Sequence, residues 1–150
     1  IRWKRCDIKS VSLLPNVLAK QQALDSAAYD AWLVDEEGFV TEGSASNAWI
    51  ITKGGEVVTR PPSFAILNGV TRRAVAALAE AEGLRYVERA FTRDEALAAV
   101  EAFLTSTTSR VIPVTQIDAA RIGAGEPGRL TRRLLDLYLR HEVGEGGGSR

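Results

Sequence analysis

The stretch AYDAWLVDEEGFVTEGSASNAWIITKGGEVVTR, Ala28 to Arg60, decides the fold. Four short runs rich in aromatic and β-branched residues (AWLV, FVT, AWIIT and EVVT) alternate with EEG, the small-residue segment GSAS, and GG. Such residues suit a pleated, half-buried surface, and the glycines between them supply turns, so the stretch predicts an antiparallel meander.

Working outward, LLPNVLAKQQALDSA spaces Leu14, Leu18, Gln21 and Ala27 as one helical face. Pro15 falls in the first turn, where a missing N–H is harmless, so a helix is expected from Leu14 to Ala27. On the other side, VTRRAVAALAEAEG predicts an amphipathic helix with Val70, Ala74, Ala77, Leu78 and Ala81 inward and Gly83 at its end. LRYVERAF reads as a strand and TRDEALAA as a short helix capped by Thr92. EAFLTST and RVIPVTQID read as strands, and GRLTRRLLDLYLRHEV as a final amphipathic helix. The expected class is mixed α/β (α+β): a largely antiparallel sheet or barrel with packed helices, rather than a doubly wound parallel sheet.

Composition narrows the function. At 150 residues and 45% hydrophobic, the chain suits one domain, expected over 1–143, with GEGGGSR at 144–150 as a flexible tail. Basic and acidic residues balance at 19 each, so no net field draws the chain to nucleic acid or to an anionic membrane. A single cysteine, Cys6, forms no internal disulfide, and with one histidine, His141, there is no recognisable zinc motif. No apolar run reaches a bilayer-spanning length and no signal peptide is visible, so a cytoplasmic location is expected.

Four polar segments carry the chemistry. RCDIKSVSLL places Lys9 between an aspartate and an apolar run, where a buried amine is expected. TEGSASN, Thr41 to Asn47, gathers hydroxyl and amide groups around Glu42. ILNGVTRR puts Gly69 before a helix whose first N–H groups, at Val70 and Thr71, suit a phosphate. LTSTTSR lines up hydroxyls at a strand end. Singly, each segment also fits ordinary turn or capping chemistry. Together, an amine, a carboxylate and two phosphate-compatible clusters are what a pyridoxal phosphate site requires.

DIKSVSLLPNVLAKQQA, VTEGSASNAWI, ILNGVTRRAV and LTSTTSRVIPVTQID resemble the successive motifs of the fold-type IV pyridoxal phosphate enzymes, most closely the D-amino-acid transaminases. The resemblance implies the large, cofactor-binding domain of that fold, pyridoxal 5'-phosphate as cofactor, and amino-group transfer between D-amino acids and 2-oxo acids. It implies that Lys9 forms the Schiff base with the cofactor aldehyde and that Glu42 sits beside the pyridine nitrogen. Ser44, Ser46 and Asn47 would line the cofactor and Leu67 would pack on its ring. Val70 and Thr71 would receive the phosphate, with Ser106, Thr107 and Thr108 as a second phosphate-side cluster. Ala45 stands where the family more often has a serine. Burial beside a second positive centre would keep the Lys9 amine neutral and nucleophilic.

The family's intact members imply a homodimer with a small N-terminal domain that supplies further phosphate and carboxylate contacts. This chain has no methionine and starts almost at Lys9, so it is expected to lie inside a longer gene product. Arg72, Arg73 and Arg110 could approach an anion, but surface charge is the expectation for each. Alternatives are a catalytically incompetent cofactor-binding or interaction module, or a branched-chain aminotransferase or aminodeoxychorismate lyase relative of the same fold. The SVSLL that follows Lys9 favours the D-amino-acid enzymes.

Overall fold

A computed structural model describes residues 5–10 and 13–146. In chain order the elements are α1 (Leu14–Asp25), β1 (Trp32–Val34), β2 (Val40–Gly43), β3 (Asn47–Ile51), β4 (Glu56–Thr59), α2 (Val70–Ala81), β5 (Arg85–Glu88), α3 (Arg93–Ala98), β6 (Glu101–Ser106), β7 (Arg110–Val114), β8 (Gln116–Ile117), β9 (Ala120–Arg121) and α4 (Arg129–Gly146). Five strands form the central sheet in the order β5-β4-β3-β6-β7, and β1-β2 and β8-β9 form two-stranded ribbons. The class is therefore mixed α/β, with an open sheet rather than a barrel. All pairings are antiparallel except β4–β5, which α2 connects as a crossover.

The central strands are apolar on both sides because each side faces a separate core. In β3, Ala48 and Ile50 point into one core with Val58, Phe91, Ala102 and Leu104. Trp49 and Ile51 point into the other with Val75, Phe103, Leu134 and Tyr138, from α2, β6 and α4. Trp49 stacks on Phe103 with ring centroids 5.2 Å apart, and its indole N–H donates to Thr105 Oγ1 at 2.9 Å, which satisfies the one polar atom of a fully buried ring. Trp32 meets Phe91 edge-on at 6.1 Å in the first core.

Helix ends follow local chemistry. Thr92 caps α3, as predicted, and Glu95 closes a capping box by accepting from the Thr92 N–H. The N-terminus of α4 is held by Glu101, whose carboxylate accepts from Leu130 N, Thr131 N and Thr131 Oγ1. Among the described residues no helix is long and apolar enough to cross a membrane.

Several expectations are corrected. The meander does not stay in one sheet: after Gly43 the chain turns, so β1-β2 and β3-β4 pair separately. The run RVIPVTQID is not one strand but two, β7 and β8, with Thr115 between them. In α2 the buried residues are Thr71, Arg72, Val75 and Ala79, while Ala77 is exposed and Val70 is 65% exposed. Alanine is indifferent to burial and blurred that stripe. Arg72, expected on the surface, is only 2% exposed. In α1 the expected face is wrong: Leu14 and Leu18 are exposed and Ala23 is buried. The run IRWKRC, residues 1–6, reads in sequence as a short strand; residues 1–4 lie outside the described residues, and Arg5 and Cys6 are not in a strand.

Candidate functional site

A cavity opens where the β2–β3 turn, the C-terminal end of β6, the N-terminus of α2 and the segment before α1 converge. Lys9, Glu42, Ser44, Ser46, Asn47, Leu67, Val70, Thr71, Ser106 and Thr107 all line it, together with Arg72 and Thr105. Every predicted site residue is thus brought together except Thr108, which lies exposed in the β6–β7 turn. The register explains the convergence of residues so far apart in sequence. Asn47 pairs with Thr105 across β3–β6, so the hydroxyls that end β6 lie alongside the turn that starts β3.

Lys9 departs from expectation. Its segment is a surface turn, and the side chain is exposed rather than buried, so the argument from burial does not hold for the described residues. The segment is fixed by its neighbours. Cys6 N donates to Phe64 O at 2.7 Å and the Arg5 guanidinium lies 4.7 Å from the Phe64 ring centre. Asn16 Nδ2 in α1 donates to Ser44 O at 2.8 Å, joining the Lys9 side of the cavity to the hydroxyl turn.

The opposite wall is a clamp on Leu67. Leu67 N donates to Glu42 Oε2 at 2.7 Å and Asn47 Nδ2 donates to Leu67 O at 2.7 Å. Two buried polar side chains from β2 and β3 thus fix both backbone polar groups of the residue expected to pack on a ring. Glu42 is 6% exposed. The next turn is equally tight, since a Cβ at Gly69 would lie 2.7 Å from Asn47 Oδ1. Gly69 gives α2 no side-chain cap, leaving the first N–H groups of that helix to the cavity.

Sequence reasoning missed Asp30. Its Oδ1 accepts from Ser44 N at 3.2 Å and from the Ser44 hydroxyl, and its Oδ2 accepts from the Ser46 hydroxyl at 2.7 Å. The turn is built around this carboxylate: a Cβ at Gly43 would lie 2.7 Å from Asp30 Oδ2 and 2.0 Å from Ser46 Oγ. Both serine hydroxyls therefore spend their protons on Asp30 and present lone pairs to whatever enters. The only local signal was an aspartate just ahead of a strand in a loop of small residues. Near Lys9, the buried Ser10 hydroxyl has no hydrogen-bond partner, an orphan that suits a site completed by a bound group.

The result is a mixed α/β domain in which the β1-β2 ribbon, the central sheet and the start of α2 present a carboxylate, a set of hydroxyls and an uncapped helix N-terminus to one cavity. The family model for amino-transferase class IV matches residues 1–117, and the chain belongs to that family. It is 50% identical over 134 residues to the D-alanine aminotransferase of Bacillus licheniformis, covering 89% of this chain and 47% of that protein. It is 42% identical over 124 residues to a branched-chain-amino-acid aminotransferase of Pseudomonas aeruginosa, covering 83% and 40% respectively. The PLP-form structure of the branched-chain amino acid aminotransferase from Thermobaculum terrenum superposes with a TM-score of 0.87 at 33% identity, over 93% of this chain and 46% of that one. The chain spans about half the length of the curated relatives it matches.

Proposed function

We propose that residues 1–143 are the cofactor-holding domain of a pyridoxal phosphate-dependent aminotransferase that moves amino groups between D-amino acids and 2-oxo acids, and that the intact enzyme is a homodimer. The convergence of Lys9, Glu42, Leu67, the N-terminus of α2 and the end of β6 on one cavity carries this reading. The residues present fit the cofactor. An uncapped helix start and the Ser106 and Thr107 hydroxyls are donors for a phosphate, the clamped Leu67 offers an apolar surface for a ring, and Glu42 is an anion for a ring nitrogen.

When bound, pyridoxal phosphate supplies the electron sink that stabilises negative charge on the substrate α-carbon. Lys9 Nζ would be the amine that holds the cofactor aldehyde and the base that moves the proton at the substrate α-carbon. Its placement at the rim lets it reach both solvent-borne substrate and the cavity. Glu42 would hold the proton on the ring nitrogen, and the Leu67 N–H bond fixes one of its carboxylate oxygens. Ser44, Ser46 and Asn47 would line the cofactor, their geometry set by Asp30 and Leu67. Thr108 keeps no role in this scheme.

Preference for D-amino acids rests on the 50% identity to the Bacillus licheniformis enzyme, against 42% for the Pseudomonas aeruginosa branched-chain one. The first test is borohydride reduction of the protein mixed with pyridoxal phosphate, with peptide mapping and Lys9→Ala as control. One adduct at Lys9, lost in the control, is expected; labelling scattered over Lys20 and Lys53 would overturn the assignment. Full-length protein assayed with D-alanine and with L-leucine against a 2-oxo acid decides substrate hand, and faster turnover of L-leucine would replace the D-specific reading with the branched-chain one.

A further inference from the structure

Arg72 is not used by the scheme above, yet it is the most deeply buried cation described. Its Nη1 donates to Asn68 Oδ1 at 3.1 Å, and its Nη2 donates to Arg60 O at 2.8 Å and to Glu88 Oε1 at 2.7 Å. One planar guanidinium therefore ties the turn before α2, the residue after β4 and the end of β5 into a single block. Glu88 is in turn held by the Tyr86 hydroxyl at 2.6 Å.

Two features show that stability alone does not account for this arrangement. The Arg72 Nε is buried with no hydrogen-bond partner, a donor that the bonds at Nη1 and Nη2 leave unused. Arg72 also sits in the first turn of α2 beside Arg73, with no acidic residue in that turn. Cations there oppose the helix dipole, whose positive end is at the same place. Arg72 itself lines the cavity, so its orphaned Nε and the uncapped start of α2 lie at one wall, where a bound anion suits both.

We propose that Arg72 is a positioning residue for the anion cup at the start of α2. It fixes the Asn68–Gly69 turn so that the Val70 and Thr71 N–H groups stay aimed at a phosphate, and it does so without touching the ligand, its own charge being paired with Glu88. This rests on the pyridoxal phosphate reading for the identity of the anion, but the strut itself is independent of that reading.

The test uses Arg72→Lys, which keeps the charge and loses the fork, and Asn68→Ala, which removes an exposed side chain and cuts only the link to the turn. Full-length protein is titrated with pyridoxal phosphate and with pyridoxal, which lacks the phosphate. Both variants are expected to weaken pyridoxal phosphate binding about tenfold while pyridoxal changes less than about twofold. Equal weakening for both ligands, or no weakening, overturns the proposal, because a merely structural role would not discriminate the phosphate. Should Arg72→Lys fail to fold, Asn68→Ala decides. If the unaltered protein binds the two ligands equally, the phosphate reading fails, and amide hydrogen exchange at residues 69–71 without ligand decides the strut: faster exchange in Asn68→Ala sustains it, and unchanged exchange overturns it.

Discussion

At Glu42, one carboxylate oxygen accepts the Leu67 N–H while the group as a whole faces the cavity. Glu42→Gln keeps an acceptor for Leu67 and removes the charge. Its unfolding free energy is expected to stay within about 1 kcal/mol of the parent, the worth of one neutral hydrogen bond. Amino transfer is expected to fall at least about tenfold, roughly 1.4 kcal/mol of lost transition-state stabilisation. Denaturant unfolding and steady-state kinetics on the same preparation separate the two effects. Asp30→Ala, by contrast, should cost stability as well, since it strands Ser44 N and two serine hydroxyls. A loss of about 2 kcal/mol in chemical denaturation is expected, with Asp30→Asn recovering part of it. Asp30 was illegible in the sequence because its partners lie 14 and 16 positions away, across a turn whose path the carboxylate itself determines. Lys9, Glu42 and the β6 hydroxyls were legible because amines, carboxylates and hydroxyl runs are recognisable by residue type before their positions are known.

Among the elements, the start of α2 is the least tolerant. Gly69→Ala would drive a Cβ to 2.7 Å from Asn47 Oδ1, displacing the amide that holds Leu67 O. About 1–3 kcal/mol of destabilisation is expected, the usual cost of overpacking, and thermal unfolding by circular dichroism measures it. The β5 end adds a pH dependence. Burial pushes the Glu88 carboxyl up, but hydrogen bonds from Tyr86 and Arg72, with the Arg72 charge, outweigh it and hold the group below its ordinary value. A depressed native value means stability that is present above the ordinary glutamate range and lost as the pH falls through the native one. Glu88→Gln is expected to flatten the acid limb of the stability profile, and denaturation midpoints taken across acidic pH check this. Thr92 and the ends of α2 were readable because caps and turns are local. Arg72 and the faces of α1 and α2 were not, because which side of a helix is buried depends on what packs there.

For the whole molecule, the two cores share β3 and β6 as a common wall, so neither can loosen while the other remains intact. Trp32 packs against one core and Trp49 lies in the other. With Trp3 replaced by Phe in both, unfolding followed by fluorescence in Trp32→Phe and in Trp49→Phe is expected to be one coincident cooperative transition in each, after allowing for the different stability of each variant. Two separated steps would show independent cores. The strands β3 and β6 were legible from their aromatic and branched residues, whereas their burial on both faces and the neighbour order β5-β4-β3-β6-β7 were not, since pairing and packing between distant segments leave no local mark. The Leu67 clamp has a consequence for protein engineering. Because side chains from β2 and β3 hold the backbone of the loop before α2, those two chain segments form one inseparable cassette. Loop grafts from related enzymes that exchange Gly43–Asn47 or Ile66–Thr71 alone will carry mismatched halves, and libraries aimed at new substrates should diversify the two together.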